Sequence, residues 1–380
     1  GGAGMFFEPI LSNIYRAYGD RTPPFYNSIN PSNPTFPNAP TTASSLLRLD
    51  LVDYNLKNPY RVQYNLTYQR ELWGRTVVTL GYIGARGYRQ IRNVEYNQAV
   101  PVVQADGSLF FPLGGTRRNP GFNSMRLRLS DGASWYDGFV AGVHRRFSAG
   151  LSIQVSYTYG NSKDEGSQAV GSGDFGNSFQ PPYWQIPSLN KGPSDFDIRH
   201  NFTFNSTWEL PFAKSMTGVA HGVLAGWQVS NIISARSGVP FTPVLSFDRA
   251  RALPRSGGAG QWPDLVPGCS SHAVTGDPNA WINVSCLAVP AAGTIGNLGR
   301  NTMRGPNFAT WDLALFKNVP LGATRRLQFR AEGFNITNHA NFGLPSTAVF
   351  SASGLVSTAG QITTIVGTAR QFQFGVKVQF

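Results

Sequence analysis

The sequence predicts an all-β protein: a portion of an antiparallel transmembrane β-barrel with about ten long strands, short periplasmic turns and long extracellular loops. The first supporting observation is composition, since charged residues make up only 14% of the 380-residue chain while aromatic residues reach 13%. Typical globular proteins carry roughly 25% charged residues. The second is a period-two alternation of apolar and polar residues over long segments. The third is a regular change between short and long links.

The clearest strand covers PYRVQYNLTYQREL, residues 59–72. One face carries Tyr60, Val62, Tyr64, Leu66 and Tyr68, and the other carries Arg61, Gln63, Asn65, Thr67, Gln69 and Glu71. At about 3.3 Å per residue, roughly twelve residues extend about 40 Å, which suffices to cross a bilayer at a steep tilt. The segments LSIQVSYTYG (151–160) and IRHNFTFNSTWEL (198–210) alternate in the same way. One face of each strand therefore suits lipid and the other suits water.

Weaker alternation completes the set of strands. It occurs at 76–84, 136–147, 226–235, 309–319 and 326–336, and the first and last strands are predicted in GGAGMFF (1–7) and RQFQFGVKVQF (370–380). The only segment with local helical character is VAHGVLAG (219–226), and its glycines weaken that helix. The prediction is therefore a strand protein throughout.

The links between strands alternate in length. Short links are WGR (73–75), SAG (148–150) and PLGATR (320–325), and the link over 211–225 is somewhat longer. Long polar loops rich in Gly and Pro are predicted at about 9–58, 93–134, 164–197, 238–308 and 338–369. Outer-membrane barrels place short turns in the periplasm and long loops outside the cell. A soluble β-sandwich, the main alternative fold, does not explain long loops confined to one end.

The polar face of the predicted wall points into the lumen and the apolar face meets lipid. Arg199, Arg330 and Glu332 are assigned to the lumen wall, where Arg330 and Glu332 either brace the wall and a plug as an ionic network or contact a ligand. Four tryptophans near predicted strand ends fit the aromatic girdles of such barrels, although the same residues also suit a soluble core. They are Trp73, Trp135, Trp208 and Trp311.

The long loops contain the candidate binding residues. Tyr183, Trp184, Trp262 and Trp281 either stack on a sugar or peptide, or pack the loops together. The net charge is +12, and arginines recur at the predicted outer rim, among them Arg117, Arg118, Arg249 and Arg251. Forked guanidinium groups can grip lipopolysaccharide phosphates or attract an anionic ligand. The basic residues form neither a run nor a helix face, so nucleic acid is not predicted as a partner.

The two cysteines, Cys269 and Cys286, lie seventeen residues apart in a loop rich in Pro and Gly. They lack the C-x-x-C spacing of metal sites. In an oxidising compartment a disulfide is the simplest interpretation, and two free thiols are the alternative.

Enzyme chemistry is not predicted. The motifs G-x-S-x-G and H-E-x-x-H are absent, and the five histidines are scattered without metal-ligand spacing. We therefore predict a protein that is not an enzyme and carries no cofactor or metal.

A series of segments resembles a known family. LKNPYRVQYNLTYQREL, TLGYIGARG, SDFDIRHNFTFN, GWQVSNIISARSGVPFTP, GNLGRNTMRGPNFATWDLALFKNV and LQFRAEGFNITNHANFGLP, together with the opening GGAGMFFEP and the terminal RQFQFGVKVQF, are similar to the C-terminal barrel half of Oar-like TonB-dependent receptors. That group is abundant in Acidobacteria-like genomes and often has a carboxypeptidase-regulatory-like module upstream. The resemblance covers nearly the whole chain in the right order. It implies a barrel of about 22 strands in the outer membrane of a Gram-negative-type bacterium.

The resemblance also implies partners. Receptors of this kind hold a plug in the barrel and engage periplasmic TonB through an N-terminal motif, so residues 1–380 are expected to be the C-terminal part of such a barrel, without signal peptide, plug or first strands. The ligand is expected to be a peptide, glycan or siderophore. A passive porin or a structural surface barrel without energy coupling is the alternative. In the family, a terminal Phe with apolar residues at alternate positions is read by the outer-membrane assembly machinery; here the matching residues are Phe372, Phe374, Val376, Val378 and Phe380.

Overall fold

A computed structural model describes residues 1–10, 12, 14–15, 47–167, 181–212, 217–253, 261–322 and 325–380. Parts of the predicted loops 9–58, 164–197 and 238–308 lie outside these residues, and so does part of the short link 320–325. Within the described part of the chain, no helix has the length and apolar character needed to cross a membrane.

The strands run in chain order from β1 to β21. They are β1 (Gly2–Phe7), β2 (Leu47–Val52), β3 (Tyr60–Leu72), β4 (Thr76–Glu95), β5 (Val102–Val103), β6 (Leu109–Phe110), β7 (Phe122–Ser148), β8 (Leu151–Asp164), β9 (Gly192–Pro193), β10 (His200–Glu209), β11 (Trp227–Arg236), β12 (Pro240–Phe241), β13 (Val244–Leu245), β14 (Asp264–Leu265), β15 (Leu287–Ala288), β16 (Met303–Arg304), β17 (Phe308–Pro320), β18 (Arg326–Phe334), β19 (Ala348–Ser351), β20 (Gly354–Leu355) and β21 (Gln371–Gln379). A short helix, α1 (Gly218–Leu224), lies between β10 and β11.

Ten of these strands form one large antiparallel sheet, which we call the wall. Its order is β1-β3-β4-β7-β8-β10-β11-β17-β18-β21, so each long strand pairs with its neighbours in sequence. At its margins, β2 joins β7 in parallel and β9 joins β8 antiparallel. The set of about ten strands predicted from periodicity is confirmed. The segment with local helical character does form a short helix, despite its glycines.

Strand register confirms that the wall has an apolar and a polar face. Val376 is opposite Phe329, and Phe374 is opposite Ala331. On the other face, Gly375 is opposite Arg330. Because directly opposed residues in an antiparallel pair point to the same side of the sheet, apolar residues line up with apolar ones across the strands. The apolar face is the side that meets lipid.

Two strands are longer than the sequence predicts. β4 continues to Glu95 and β7 begins at Phe122, so the predicted loop 93–134 narrows to 96–121. These extensions do not alternate clearly because they are covered by protein: Val94 is 0% exposed and Arg92 is 3% exposed. The register between β4 and β7 also shifts between Gly87 and Gln90. Trp135 consequently lies well inside β7, not at a strand end as expected.

Candidate functional site: the loop cap

Five long links leave the same end of the wall, and the described parts of the last four form a second structure. We call it the loop cap, made of residues 96–121, 165–199, 237–307 and 335–370. One hydrophobic cluster of the cap comes from its last two links. Its buried members are Phe241, Trp262, Ile282, Leu287, Leu298, Met303 and Val349. Trp281 packs against this cluster, and its indole Nε1 donates a 2.8 Å hydrogen bond to the carbonyl oxygen of Arg304.

A second hydrophobic cluster joins the first three links of the cap. It contains Ala99, Leu109, Phe111, Tyr183, Ala250 and Ala252. The rings of Phe111 and Tyr183 meet edge to face with centroids 5.8 Å apart. Burial raises the pKa of the Tyr183 phenol, and the charge of Arg118 partly opposes this rise. Of the two interpretations offered for the loop aromatics, packing between loops holds for Tyr183 and Trp262, which are 3% and 2% exposed.

The predicted disulfide is confirmed. Cys269 and Cys286 are bonded, with their Cα atoms 5.6 Å apart. Cys286 is buried and precedes Leu287, a member of the first cluster. The bond therefore fixes part of the longest link directly beside a hydrophobic core.

Buried charge connects the cap to the wall through Arg300, and we call this group the Arg300 hub. The guanidinium Nη1 lies 3.2 Å from the Asp195 carboxylate, and Nη2 pairs with the carboxylate of Asp164 at the end of β8. Nε donates a 2.8 Å hydrogen bond to the carbonyl oxygen of Asn190. Asn301 adds a 2.7 Å hydrogen bond to Asp195. Because charges buried this deeply need partners, the hub holds the 165–199 link against the 237–307 link.

A second buried carboxylate ties Arg199 into the same region. Asp197 is 1% exposed, pairs with the guanidinium of Arg304 and lies 3.6 Å from Arg199. Arg199 was assigned to the lumen wall, and its contact with Asp197 places it at the junction between the wall and the cap. The pairing of Asp197 with Arg304, which fixes this junction, could not be predicted from the sequence because the two residues are 107 positions apart.

The four arginines proposed as ligand contacts differ in their surroundings. Arg117 donates to the carbonyl oxygens of Asn97 and Leu253 at 3.1 and 2.8 Å, and Arg249 donates to that of Pro290 at 2.8 Å. Arg251 is half-buried with a positive φ of 59°. Arg117 and Arg249 thus connect loop segments through backbone oxygens.

Arg118 is exposed and belongs to a different arrangement. Its guanidinium carbon lies 5.5 Å from the Tyr96 ring centroid and 5.7 Å from the Trp184 ring centroid. The two rings are themselves 4.9 Å apart. Tyr96, Arg118 and Trp184 therefore form an aromatic and cationic platform at the cap surface. Sequence reasoning found Arg118 and Trp184 but missed Tyr96, which follows β4 directly.

A polar cleft opens on the lumenal side where the cap meets β17, β18 and β21. The cleft, which we call the Asp312 cleft, has a volume of about 350 Å³. It is lined by Thr310, Asp312, Phe334, Asn335, Asn341, Gly367, Thr368 and Gln371. The Asp312 carboxylate accepts a 2.8 Å hydrogen bond from the backbone N–H of Asn335.

Asparagine side chains shape this cleft. The amide of Asn341 pairs with both backbone groups of Ala309, accepting at 2.7 Å and donating at 2.9 Å, as a strand backbone would. Asn335 has a positive φ of 47°, a conformation that Asn adopts more readily than most residues. Sequence reasoning missed these residues, although the repeated asparagines in FNITNHANFG were a usable signal.

The lumenal face of β18 carries Arg330 and Glu332. The two residues share the polar face, as predicted, and no ion pair is seen between them among the described residues. Arg330 Nε instead donates to Gln328 at 2.7 Å, and its guanidinium lies over the Phe316 ring. Two residues on one strand that are two positions apart both point into the lumen without needing to touch. Among the described residues, no group of three or more His, Cys, Asp or Glu side chains is arranged to hold a metal ion.

Comparison with known proteins adds a family match. A family model described as "Outer membrane beta barrel domain" matches residues 1–373. No curated protein matches the sequence. Similar solved structures include the outer membrane transporter YddB from Escherichia coli, at 11% identity and a TM-score of 0.43, covering 89% of this chain and 34% of that one.

Two further solved structures show the same extent of similarity. The pyoverdine outer membrane receptor FpvA from Pseudomonas aeruginosa has 11% identity and a TM-score of 0.39, with 86% of this chain and 30% of that chain covered. The FrpB iron transporter from Neisseria meningitidis has 10% identity and a TM-score of 0.39, with 87% and 33% covered. The present chain therefore spans about a third of the length of these structures.

Proposed function

Because this chain belongs to the outer membrane β-barrel domain family, we propose that it forms the barrel wall and ligand-capturing cap of a TonB-dependent receptor. The protein is located in the outer membrane. In the proposed function, a ligand settles on the cap, passes into the lumen and is imported when TonB acts on a plug held by the complete barrel. The resemblance to Oar-like receptors supports this proposal.

The observation that carries the proposal is that the loop cap is a folded structure. It contains two hydrophobic clusters, a disulfide and the Arg300 hub. A passive pore needs an open mouth, whereas a receptor gains affinity when its binding surface is ordered before the ligand arrives. An ordered cap above a polar lumen suits capture better than free diffusion.

The proposed ligand is a polar small molecule of the peptide, glycan or siderophore class. The Tyr96–Arg118–Trp184 platform offers ring faces and a cation at the cap surface. The Asp312 cleft offers hydroxyl, amide and carboxylate groups on the lumenal side. Together they form two successive contact points between the outside and the lumen.

Outer-leaflet lipopolysaccharide is the proposed neighbour of the rim on the lipid side. Trp135 is opposite Arg86 in one strand pairing and opposite Lys163 in the other, so the three share the outward face. The ammonium group of Lys191 lies 4.1 Å from the Trp135 ring centroid. Arg86 is paired with the Asp137 carboxylate, so the ammonium groups of Lys163 and Lys191 are the cations proposed to meet the phosphates of this lipid.

The outer-membrane assembly machinery is the proposed partner of β21. In that strand the apolar positions Phe372, Phe374, Val376 and Val378 are exposed on the lipid face, and Phe380 follows them. The Phe380→Ala variant of the full-length protein should assemble less well in the outer membrane. Its folded yield is to be compared with that of Gln379→Ala, which changes a lumenal neighbour. Equal yields would contradict this role of the terminal ring.

Uptake measurements on intact cells test the receptor proposal. Cells that express the full-length protein would be given fluorescent peptides, glycans and siderophores, with and without a protonophore. We expect saturable uptake of one class that stops when the protonophore removes the proton gradient. Uptake that continues unchanged, together with steady ion conductance in planar bilayers, would instead establish the passive porin alternative.

A further inference from the structure

The link between β10 and β11 carries an exposed apolar helix face. Val219, Val223 and Leu224 of α1 are 85%, 59% and 47% exposed. At the helical spacing of about 100° per residue, these three and Ala220 share one side. The opposite side, with His221, Gly222 and Ala225, borders a cleft of about 330 Å³ against the rim of the wall. The small helix therefore turns an apolar side away from the protein, while its other side carries His221 and small residues.

Two side chains from the lipid face of the wall hold the end of this helix. The Trp227 indole Nε1 donates a 2.9 Å hydrogen bond to the carbonyl oxygen of Val223. Lys317 Nζ donates to the same oxygen at 3.0 Å and also to the carbonyl oxygen of Ala225. Trp227 and Lys317 are opposite each other in register, and Lys317 is opposite Phe329 on the next strand. Since Phe329 belongs to the lipid face, the helix is attached to the lipid side of the rim.

The charge of Lys317 is accommodated by this attachment. A lysine on a lipid-facing surface is unfavourable unless its ammonium group reaches a polar partner or the interface. Here the ammonium group meets the carbonyl end of α1, where the helix dipole favours a cation. It also lies 5.3 Å from the Trp227 ring centroid. The Lys317 ammonium group thus gains hydrogen-bond acceptors at the edge of the membrane, and the carbonyl groups at the end of α1 gain a donor.

The backbone that follows the helix is also fixed. Gly226 has a positive φ of 75°, and a Cβ atom there would lie 2.3 Å from the carbonyl oxygen of Asn318. Its own carbonyl oxygen accepts a 2.9 Å hydrogen bond from the Asn318 N–H. The short distance between α1 and the wall therefore depends on glycine at this position, and the helix cannot swing away without breaking these contacts.

We propose that α1 is an interfacial anchor whose apolar side lies in the periplasmic leaflet of the outer membrane, beside the barrel. The occupant of its apolar face is phospholipid. Continuity with the lipid face of the wall supports this choice, because Trp208, 43% exposed, and Trp227 lie on that face at the same end. Tryptophans at this level are typical of the membrane–water boundary.

Other occupants fit the face less well. A second copy or a periplasmic protein would need an interface of roughly 800 Å² per partner, and four small apolar side chains provide far less. A helix of seven residues is also marginal in water, whereas an interface with lipid stabilises an amphipathic helix. The lipid that covers the apolar face of the wall at this rim also lies next to α1.

Site-directed spin labelling of the full-length protein tests the anchor. Val219→Cys places a label on the apolar side, and Gly222→Cys places the matched control on the cleft side, where a Cβ atom meets nothing within 4 Å. Both proteins would be reconstituted in vesicles of phosphatidylethanolamine and phosphatidylglycerol. Heat-modifiable migration checks that each variant is folded, and collisions with oxygen and with a water-soluble nickel chelate measure lipid exposure.

We expect the label at 219 to collide mainly with oxygen and the label at 222 to collide more with the nickel chelate. Val219→Asp combined with Val223→Asp should then move a label at Ala220→Cys from the lipid-exposed to the water-exposed regime. Equal nickel accessibility at 219 and 222 would overturn the proposal. It would also be overturned if the label at 219 became shielded from both reagents only after a periplasmic extract was added, because that result would identify a protein as the occupant.

Discussion

The wall and the loop cap of this protein hide their apolar side chains in different ways. In the wall, the protein itself leaves them uncovered: Phe374 is 77% exposed and Leu66 is 69% exposed. In the cap, Phe241 and Met303 are completely buried by other residues of the chain. The wall therefore depends on lipid as its apolar partner, whereas the cap carries its own core.

The same contrast applies to connectivity. Each wall strand pairs with the wall strands that come just before and after it in the sequence, and short turns join three of the nine pairs. The cap is connected by contacts over long sequence separations, such as the hydrogen bond between Arg300 and Asp164 across 136 residues. A repeated local pattern is therefore enough to form a membrane wall, whereas a folded cap needs specific contacts between residues that are far apart in the sequence.

Loss of the Arg300 hub should produce the largest effect on the cap. Arg300→Met removes the guanidinium that faces the buried carboxylates of Asp164 and Asp195, and breaking a buried pair in this way costs about 3–5 kcal/mol. Limited proteolysis of the protein in lipid should show faster cleavage within the cap while the wall stays resistant. Arg325→Met, at an exposed turn, is the control and should change stability by less than about 0.5 kcal/mol. If the caps of both variants were cleaved at the same rate, the Arg300 hub would not stabilise the cap.

A pair of phenylalanine variants compares the two regions directly. Phe241→Ala leaves a cavity in the first cluster and should destabilise the cap by about 3–5 kcal/mol. Phe374→Ala removes a ring that only lipid covers, so no protein cavity forms and the loss should be about 2 kcal/mol, the cost of less apolar burial. Denaturant titration of the folded proteins in detergent micelles measures both. A larger loss of stability for Phe374→Ala than for Phe241→Ala would contradict the view that the cap, and not the wall, depends on a protein core.

Loss of the disulfide should have an effect of about 3 kcal/mol, the value expected when a closed loop of this size is opened in the unfolded chain. The double variant Cys269→Ser with Cys286→Ser should lower cap stability while the urea resistance of the wall stays the same. Mild reduction of the natural protein provides a second route to the same state. A change in wall resistance would show that the two regions unfold together.

Loss of a hydrogen bond on the lipid face should have the smallest effect on the free energy of unfolding. The Trp311 indole donates to the Asn231 side-chain oxygen at 3.0 Å, and Asn231 also donates to Ser206 at 3.3 Å. Trp311→Phe keeps a ring but removes the donor, so a loss of about 0.6 kcal/mol is expected for this bond in the membrane. Equilibrium unfolding in lipid vesicles can resolve it, with Trp208→Phe as a control because no partner of its indole N–H is seen among the described residues. A loss of several kcal/mol would indicate that the wall, like the cap, relies on specific polar pairs.

The sequence was informative where one local rule decides the structure. Alternation in residues 59–72 predicted β3 and its two faces, and the same rule applied to residues 326–336 and 370–380 predicted β18 and β21. The alternation rule failed for the end of β4 near Glu95 and the start of β7 near Phe122. Protein covers both sides of these segments, so their residues no longer alternate between apolar and polar. Alternation also placed Arg330 and Glu332 correctly on one face, but a shared face does not determine which partners these side chains have.

The candidate site could be predicted only in part. Residue type and position in the predicted long loops identified Tyr183, Trp184, Trp262 and Arg118 as candidate binding residues. The local sequence does not distinguish a buried ring from an exposed one. Tyr183 and Trp262 are in cores, while Trp184 is half-buried, with its ring packed against the second cluster and beneath the exposed Arg118. Asp312 lies within the strand predicted at 309–319, and its place in a cleft depends on Asn335, which folds back from the next link.

Hydrogen exchange of the full-length protein in lipid nanodiscs tests most directly whether the cap is folded, the property on which the receptor proposal depends. We expect slow exchange for cap amides that are bonded over long separations, such as those of Val266, Trp281 and Gly305, alongside slow exchange in the wall. Gly107, in an exposed hairpin turn, should exchange quickly in the same experiment. If the three cap amides exchanged as fast as Gly107 while the wall stayed protected, the cap would be a set of open loops and the central claim would be contradicted.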